Sequence, residues 1–195
     1  MFEKFRSISR LNKEVIVTEK IDGTNAQVHI VDEEEAFVLS DETVPYLIAR
    51  NKDRGLFMFA GSRQRYITPD KDNFGFAQWV EDNADELFKF GPGRHYGEWW
   101  GQGIQRTYDL DEKRFSMFNP KWMDQGPSCV HTVPVLEGLL TIDAEAIEGA
   151  MRGLKIAGSV AAPGFKNPEG VVVYHTASNT LYKQTFDFDE GKWSA

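Results

Sequence analysis

The feature that most constrains this chain is a lysine caught between two strands. Glu14-Val-Ile-Val-Thr-Glu19 and Ala26-Gln-Val-His-Ile-Val31 alternate in polarity and are rich in β-branched residues, the pattern of half-buried strands. Asp22-Gly23-Thr24 between them has turn chemistry. Lys20 therefore ends a strand just before a tight turn, with its backbone nearly immobile. Two arrangements satisfy this pattern. One is a plain hairpin whose Lys20 reaches solvent along its aliphatic stem. The other aims the amine into a cleft between sheets. A lysine attacks an electrophile only when deprotonated, which desolvation and neighbouring cations promote.

The same period continues along the chain. Leu56–Phe59, Arg94–Trp100, Arg114–Phe118, Gly170–Tyr174 and Thr180–Phe186 read as strands, the last two as a closing pair. His131–Leu136 also alternates, with Pro134 marking a sheet edge. Phe76, Val80, Ala84 and Phe88 recur every four residues after Asp72-Asn73 and predict one amphipathic helix. Asp143–Leu154 predicts a second, with Ile147, Met151 and Leu154 on one stripe and Gly158 beyond it. Many strands with two helices indicate an α+β fold of mainly antiparallel sheets. The length of 195 residues, with no repeat or long linker, predicts a single domain over 1–195.

Composition removes several classes. At 41% hydrophobic and 13% aromatic residues the chain is not disordered. It has no apolar run of membrane-spanning length and no secretory leader. Cys129 stands alone, so no intrachain disulfide or CxxC zinc site is available. These features point to a cytoplasmic protein. There is no GxxxxGK[ST] and no HExxH, and His29, His95, His131 and His175 lack metal-ligand spacing. The net charge of −8 argues against indiscriminate coating of nucleic acid. Its distribution is uneven, however. Lys4, Arg6, Arg10 and Lys13 cluster in 1–13, Arg50, Lys52, Arg54, Arg63 and Arg65 in 50–65, and Arg152, Lys155 and Lys166 in 151–166. Acidic runs such as Asp32-Glu33-Glu34-Glu35 read as solvated turns.

The segment EKIDGTN, residues 19–25, resembles motif I of the covalent nucleotidyltransferases, KxDG. Its longer form is most similar to ATP-dependent RNA ligases of the double-strand-repair and RNA-editing type. Asn25 stands where DNA ligases and capping enzymes usually have arginine. Further motifs follow in order: Ser62-Arg63 resembles motif Ia, Tyr96-Gly97-Glu98-Trp99 motif III, and Phe115-Ser-Met-Phe118 motif IIIa. Pro168-Glu169-Gly170-Val-Val-Val173 resembles motif IV, and Leu181-Tyr-Lys183-Gln-Thr185 motif V, with Thr185 in place of the usual second lysine.

The resemblance implies a nucleotidyltransferase fold with a nucleotide cleft between sheets. It implies Lys20 as the nucleophile that becomes lysyl-AMP, Glu169 as the ligand of Mg²⁺ or Mn²⁺, and Lys183 on the α-phosphate. It places Glu19, Ile21 and Asn25 around the nucleotide, Arg63 on its sugar-phosphate side, Glu98 on the ribose and Phe115 on the adenine. The implied activity joins 3′-hydroxyl and 5′-phosphate RNA ends, at nicked duplexes, through an adenylylated 5′ end, with the three basic segments as the RNA track. The alternatives are a minimal DNA ligase and a catalytically silent nucleotide- or RNA-end-binding module. Only ten residues follow Thr185, where relatives usually append an OB-fold or helical domain, so the expectation is a minimal, monomeric ligase. A viral origin would suit so compact a chain.

Overall fold

The structure is a computed structural model, described here for residues 5, 7–39 and 46–187. It has a mixed α+β fold with few helices, and all but one of its strand pairings are antiparallel. The chain divides into two compact units, one of residues 1–21 with 134–195 and the other of residues 22–133. No described helix is long and apolar enough to cross a membrane.

The first unit is a four-stranded sheet with one helix. Its strands are β1 (Val15–Lys20), β9 (Val135–Leu139), β10 (Gly170–His175) and β11 (Thr180–Thr185), in the order β11-β10-β1-β9. α4 (Ala144–Ala157) begins at Asp143, whose carboxylate accepts from the backbone N–H groups of Glu145 and Ala146; these would otherwise be orphan donors of the first turn. Gly158 ends it in a conformation with φ 90°. Met151 and Leu154 of the helix bury against Val15, Val17, Val171 and Val173. Odd-numbered positions of β1 therefore face the helix, and Ile16, Thr18 and Lys20 face the other way.

The second unit is built on β2 (Thr24–Asp32), β4 (Leu56–Ser62), β6 (Gly93–Gly101) and β7 (Lys113–Met117). The short strands β3 (Ala49–Asn51), β5 (Tyr66–Ile67) and β8 (His131–Thr132) flank them, giving the order β3-β4-β2-β6-β7-β8 with β5 beside β4. α2 (Phe76–Asp82) and α3 (Ala84–Leu87) cover one face. Phe76, Val80 and Leu87 pack there on Ala26, Val28, Met58, Trp99 and Phe115.

Three sequence expectations are revised, and of the two arrangements open for Lys20 the hairpin falls away. β1 and β2 do not form a hairpin, since they belong to different sheets and Ile21–Gly23 carries the chain from one to the other. The helix expected through Phe76–Phe88 breaks at Asn83, whose side-chain amide donates to the Trp79 carbonyl at 2.8 Å, the local competition that makes asparagine a poor helix interior residue. His131–Leu136 is two strands: β8 pairs with β7, and β9 pairs with β1 after Pro134, which lacks the N–H to continue a ladder. The acidic run Glu33–Glu35 opens a helix, α1 (Glu33–Leu39), with the Asp32 carboxylate accepting from Glu35 N at 2.9 Å. Acids in a first turn complement the helix dipole.

Two glycines give opposite expectations. A Cβ at Gly97 would lie 2.5 Å from the Ser116 carbonyl oxygen and 2.7 Å from the Phe115 ring, so Gly97→Ala should destabilise by about 1–3 kcal/mol. Gly153, in the interior of α4, has nothing within 4 Å of that position, so Gly153→Ala should stabilise by about 0.5–1 kcal/mol. Urea unfolding of the two variants beside the parent checks both signs.

Candidate active site

The first unit presents Lys20 on the sheet face away from α4. Lys20 is in register with Gly170, and Gly170 with Thr185. Glu169 immediately precedes this row, and the Lys20 ammonium donates to Glu169 Oε2 at 2.5 Å. The side chains are 22% and 15% exposed. The next row of that face holds Thr18, Val172 and Lys183, with Lys183 exposed. The structure thus brings Lys20, Glu169 and Lys183 onto one face of one sheet. Thr185 lies in the Lys20 row itself, its hydroxyl donating to the Asp187 carbonyl.

Glu19 is corrected. One pleat step from Lys20, it points to the helix side and is 1% exposed. Its carboxylate accepts from Ser159 Oγ at 2.6 Å and from the backbone N–H groups of Val160 and Ala161 at 2.8 and 2.9 Å. A buried carboxylate must be satisfied in this way. It pins the loop after α4 to β1, and its side chain is not available to an adenine. Ile21 is 4% exposed, so its side chain is core and a nucleotide could meet only its backbone.

In the second unit, Asn25 and Glu98 are register partners on the sheet face away from the helices. Ala26 pairs with Ser62, so Arg63, the next residue of that strand's chain and exposed, continues toward the same end. Three residues far apart in sequence are gathered at one corner. The Glu98 carboxylate also accepts from the Gly23 N–H at 3.1 Å. Gly23 allows this approach, since a Cβ there would lie 2.5 Å from the Trp99 carbonyl oxygen.

Phe115 is corrected as well. It is fully buried and packs against Phe76 and Trp79 at ring separations of 5.0 and 5.6 Å. No face of its ring is open to a base. Phe118, one residue beyond β7, is 40% exposed, and its N–H donates to the Tyr96 carbonyl.

Behind the Asn25–Glu98 row the same face carries Gln27, Tyr96 and Tyr66, then His29 and Arg94. Arg94 donates to Gln27 Oε1 and to the Tyr66 hydroxyl, and that hydroxyl lies 2.7 Å from His29 Nδ1. Burial first, then the charges of Arg94 and His95, push the His29 pKa from 6.5 down to about 4. The imidazole is therefore neutral at pH 7, with Nδ1 in hydrogen-bonding distance of the Tyr66 hydroxyl.

Much of the basic charge is engaged locally. Arg50 pairs with Glu33 at 3.5 Å and stacks over Phe57, Arg54 donates to the Phe88 carbonyl, and Arg65 to the Lys71 carbonyl. Lys166 donates to the Ala157 carbonyl at the end of α4. Lys4 and Arg6 lie outside the described residues.

The match to the family model described as RNA ligase covers residues 13–190. The chain belongs to the RNA ligase family. Among solved structures, this fold matches Naegleria gruberi RNA ligase. A lysine-to-alanine mutant of that protein with ATP and Mn gives a TM-score of 0.55 at 19% identity, over 89% of this chain and 49% of that one. A lysine-to-methionine mutant with AMP and Mn gives 0.53 at 17% identity, over 90% and 50%. The same ligase with PPi gives 0.52 at 18%, over 89% and 50%. The chain thus spans about half the length of these solved relatives. No curated protein matches it in sequence.

Asp22 has partners that no motif suggested, Arg106 and Tyr108. They lie between β6 and β7, outside any strand or helix, and neither periodicity nor spacing signals a contact across so many residues.

The His29 environment is testable by titration. His29 should titrate near pH 4 by NMR, against about 6.5 for an unfolded histidine. Between those values the unfolded chain binds more protons than the folded one, so stability should fall as pH drops through that window. His29→Gln should flatten the slope. An NMR midpoint at the ordinary value would contradict a buried, neutral ring.

Proposed function

We propose that this chain is the nucleotidyl-transferring part of an ATP-dependent RNA ligase, joining 3′-hydroxyl and 5′-phosphate ends with Lys20 as nucleophile. The observation that carries the reading is the Lys20–Glu169 pair at the end of β1, with Lys183 on the same face. Lys20 Nζ, once deprotonated, attacks the α-phosphorus of ATP. An N–P bond forms, the bond to the bridging oxygen breaks, and pyrophosphate leaves. Negative charge grows on the phosphate oxygens, and a fixed cation such as Lys183 stabilises it more than water does. Asn25, Arg63 and Glu98 hold the nucleoside and its phosphates, and Phe118 takes the stacking role that the buried Phe115 cannot. AMP then passes to a 5′-phosphate RNA end, breaking the N–P bond and freeing Lys20; the 3′-hydroxyl attacks that 5′-phosphorus, forming the phosphodiester and releasing AMP.

The ligands named for the solved relatives, ATP, AMP and PPi, are reactant and products of such a step, which supports it. The manganese in two of those structures supports a divalent cation here. Among the described residues no three metal-ligating side chains gather. Glu169 fits as a single protein carboxylate, with phosphate and water oxygens completing the shell, the usual manner for Mg²⁺. A cation so held supplies charge neutralisation at the phosphates.

Incubation with ATP labelled at the α-phosphate and Mg²⁺ or Mn²⁺ should label the protein. Lys20→Ala should abolish the label. A missing adduct, or one that survives Lys20→Ala, sinks the reading. Sealing of nicked RNA, RNA–DNA hybrid and DNA duplexes then assigns the substrate. Phe118→Ala should raise the ATP concentration needed for labelling while leaving the fold intact. Phe115→Ala should instead cost about 3–5 kcal/mol of stability, read by thermal melting.

A further inference from the structure

The turn after Lys20 is held by a strained loop. The backbone N–H of Asp22 donates to the Tyr108 hydroxyl at 2.7 Å. Its carboxylate accepts from Arg106 Nε at 2.9 Å, with side chains 16% and 28% exposed for Arg106 and Asp22. Tyr108 is itself 1% exposed, and its ring meets Trp100 edge-on with centroids 4.9 Å apart. Neighbouring Ile104 is fully buried.

The backbone between these anchors is costly. Gln105, Thr107, Tyr108 and Asp109 all have φ between 45° and 56°. A non-glycine residue there costs on the order of 1 kcal/mol. Four in five positions persist only where the surroundings over-determine them. What they achieve is to bring a guanidinium and a phenol, both from one short loop, onto the same aspartate.

We propose that Arg106 and Tyr108 are positioning residues for transfer of AMP to Lys20. The inference rests on the reading of Lys20 as nucleophile. Only two peptide units separate Lys20 from Asp22, so their Cα atoms are at most about 7 Å apart. Clamping Asp22 at both its N–H and its carboxylate fixes the strand end from which the amine must reach phosphorus.

Single-turnover labelling of the full chain, with ATP varied, tests this. In Arg106→Ala the limiting rate should fall by about 100-fold, the scale of a small misplacement of reacting groups, with the half-saturating ATP concentration little changed. Guanidinium ion added to solution should restore part of that rate. Arg106→Lys should remain slow, because a lysine cannot reproduce the Nε contact. Combining Arg106→Ala with Asp22→Asn should be no slower than the slower single variant, because the pair acts as a unit.

A purely structural role would lower the melting temperature without guanidinium rescue. The proposal is overturned if Arg106→Ala labels at the wild-type limiting rate, if its loss lies wholly in ATP affinity, or if the two losses multiply. Tyr108→Phe keeps the ring and its packing and serves if Arg106→Ala does not fold; it should slow labelling, and a wild-type rate there overturns the proposal. A wild-type chain that forms no adduct overturns the ligase reading itself. Labelling that is equal in wild type and these variants overturns only the positioning role.

Discussion

The register of β1 against β10 decides what stands around the Lys20 amine. Lys20 lies opposite Gly170, and Gly170 has to be glycine. Its φ is +149°, and a Cβ there would come within 2.1 Å of the Gln184 carbonyl oxygen. This close approach lets β11 run tightly along the start of β10. The preceding Glu169 is held as its carbonyl accepts from Phe186 N at 3.0 Å, and its carboxylate is left at Nζ. A slip of one residue would turn Lys20 into the apolar face against α4 and bring Glu19 out in its place. The pleat thus divides two adjacent polar residues between separate tasks. Glu19 secures the loop after α4, and Lys20 pairs with Glu169 on the other face.

The sequence was informative where burial was regular. β1, β2, β6 and β10 were legible because each packs buried residues against a core, and α4 carries both a capping aspartate and a terminal glycine. It was uninformative where the outcome depended on partners far along the chain. The turn at Asp22-Gly23 has the composition of a hairpin, yet the hydrogen-bonding partners of β1 and β2 lie in different sheets. Pro134 was legible as an interruption but not as the place where the chain changes sheets.

The site divides in the same way. Lys20, Asn25 and Glu98 lie on regular strands and Glu169 immediately precedes one, so their motifs were legible as local pattern. The motif around Phe115 did not reveal which aromatic is open, because Phe115, Ser116 and Met117 are all buried and alternation disappears there. Glu19 shows a related failure. The resemblance of its motif implied a nucleotide contact, but three donors from residues 159–161 take its carboxylate. The basic segments read as a track in sequence; in the fold several of their side chains cap carbonyls or pair locally, so counting charge overstates what is free to meet phosphate.

Lys183 has a consequence outside chemistry. β11 is an edge of its sheet among the described residues, and its Leu181 and Tyr182 side chains are 66% and 55% exposed. An exposed edge with apolar side chains is a template for pairing with another chain, and a charged lysine in such a strand is a common deterrent. Lys183 therefore guards this edge against pairing. Neutralising it would remove a solubility safeguard.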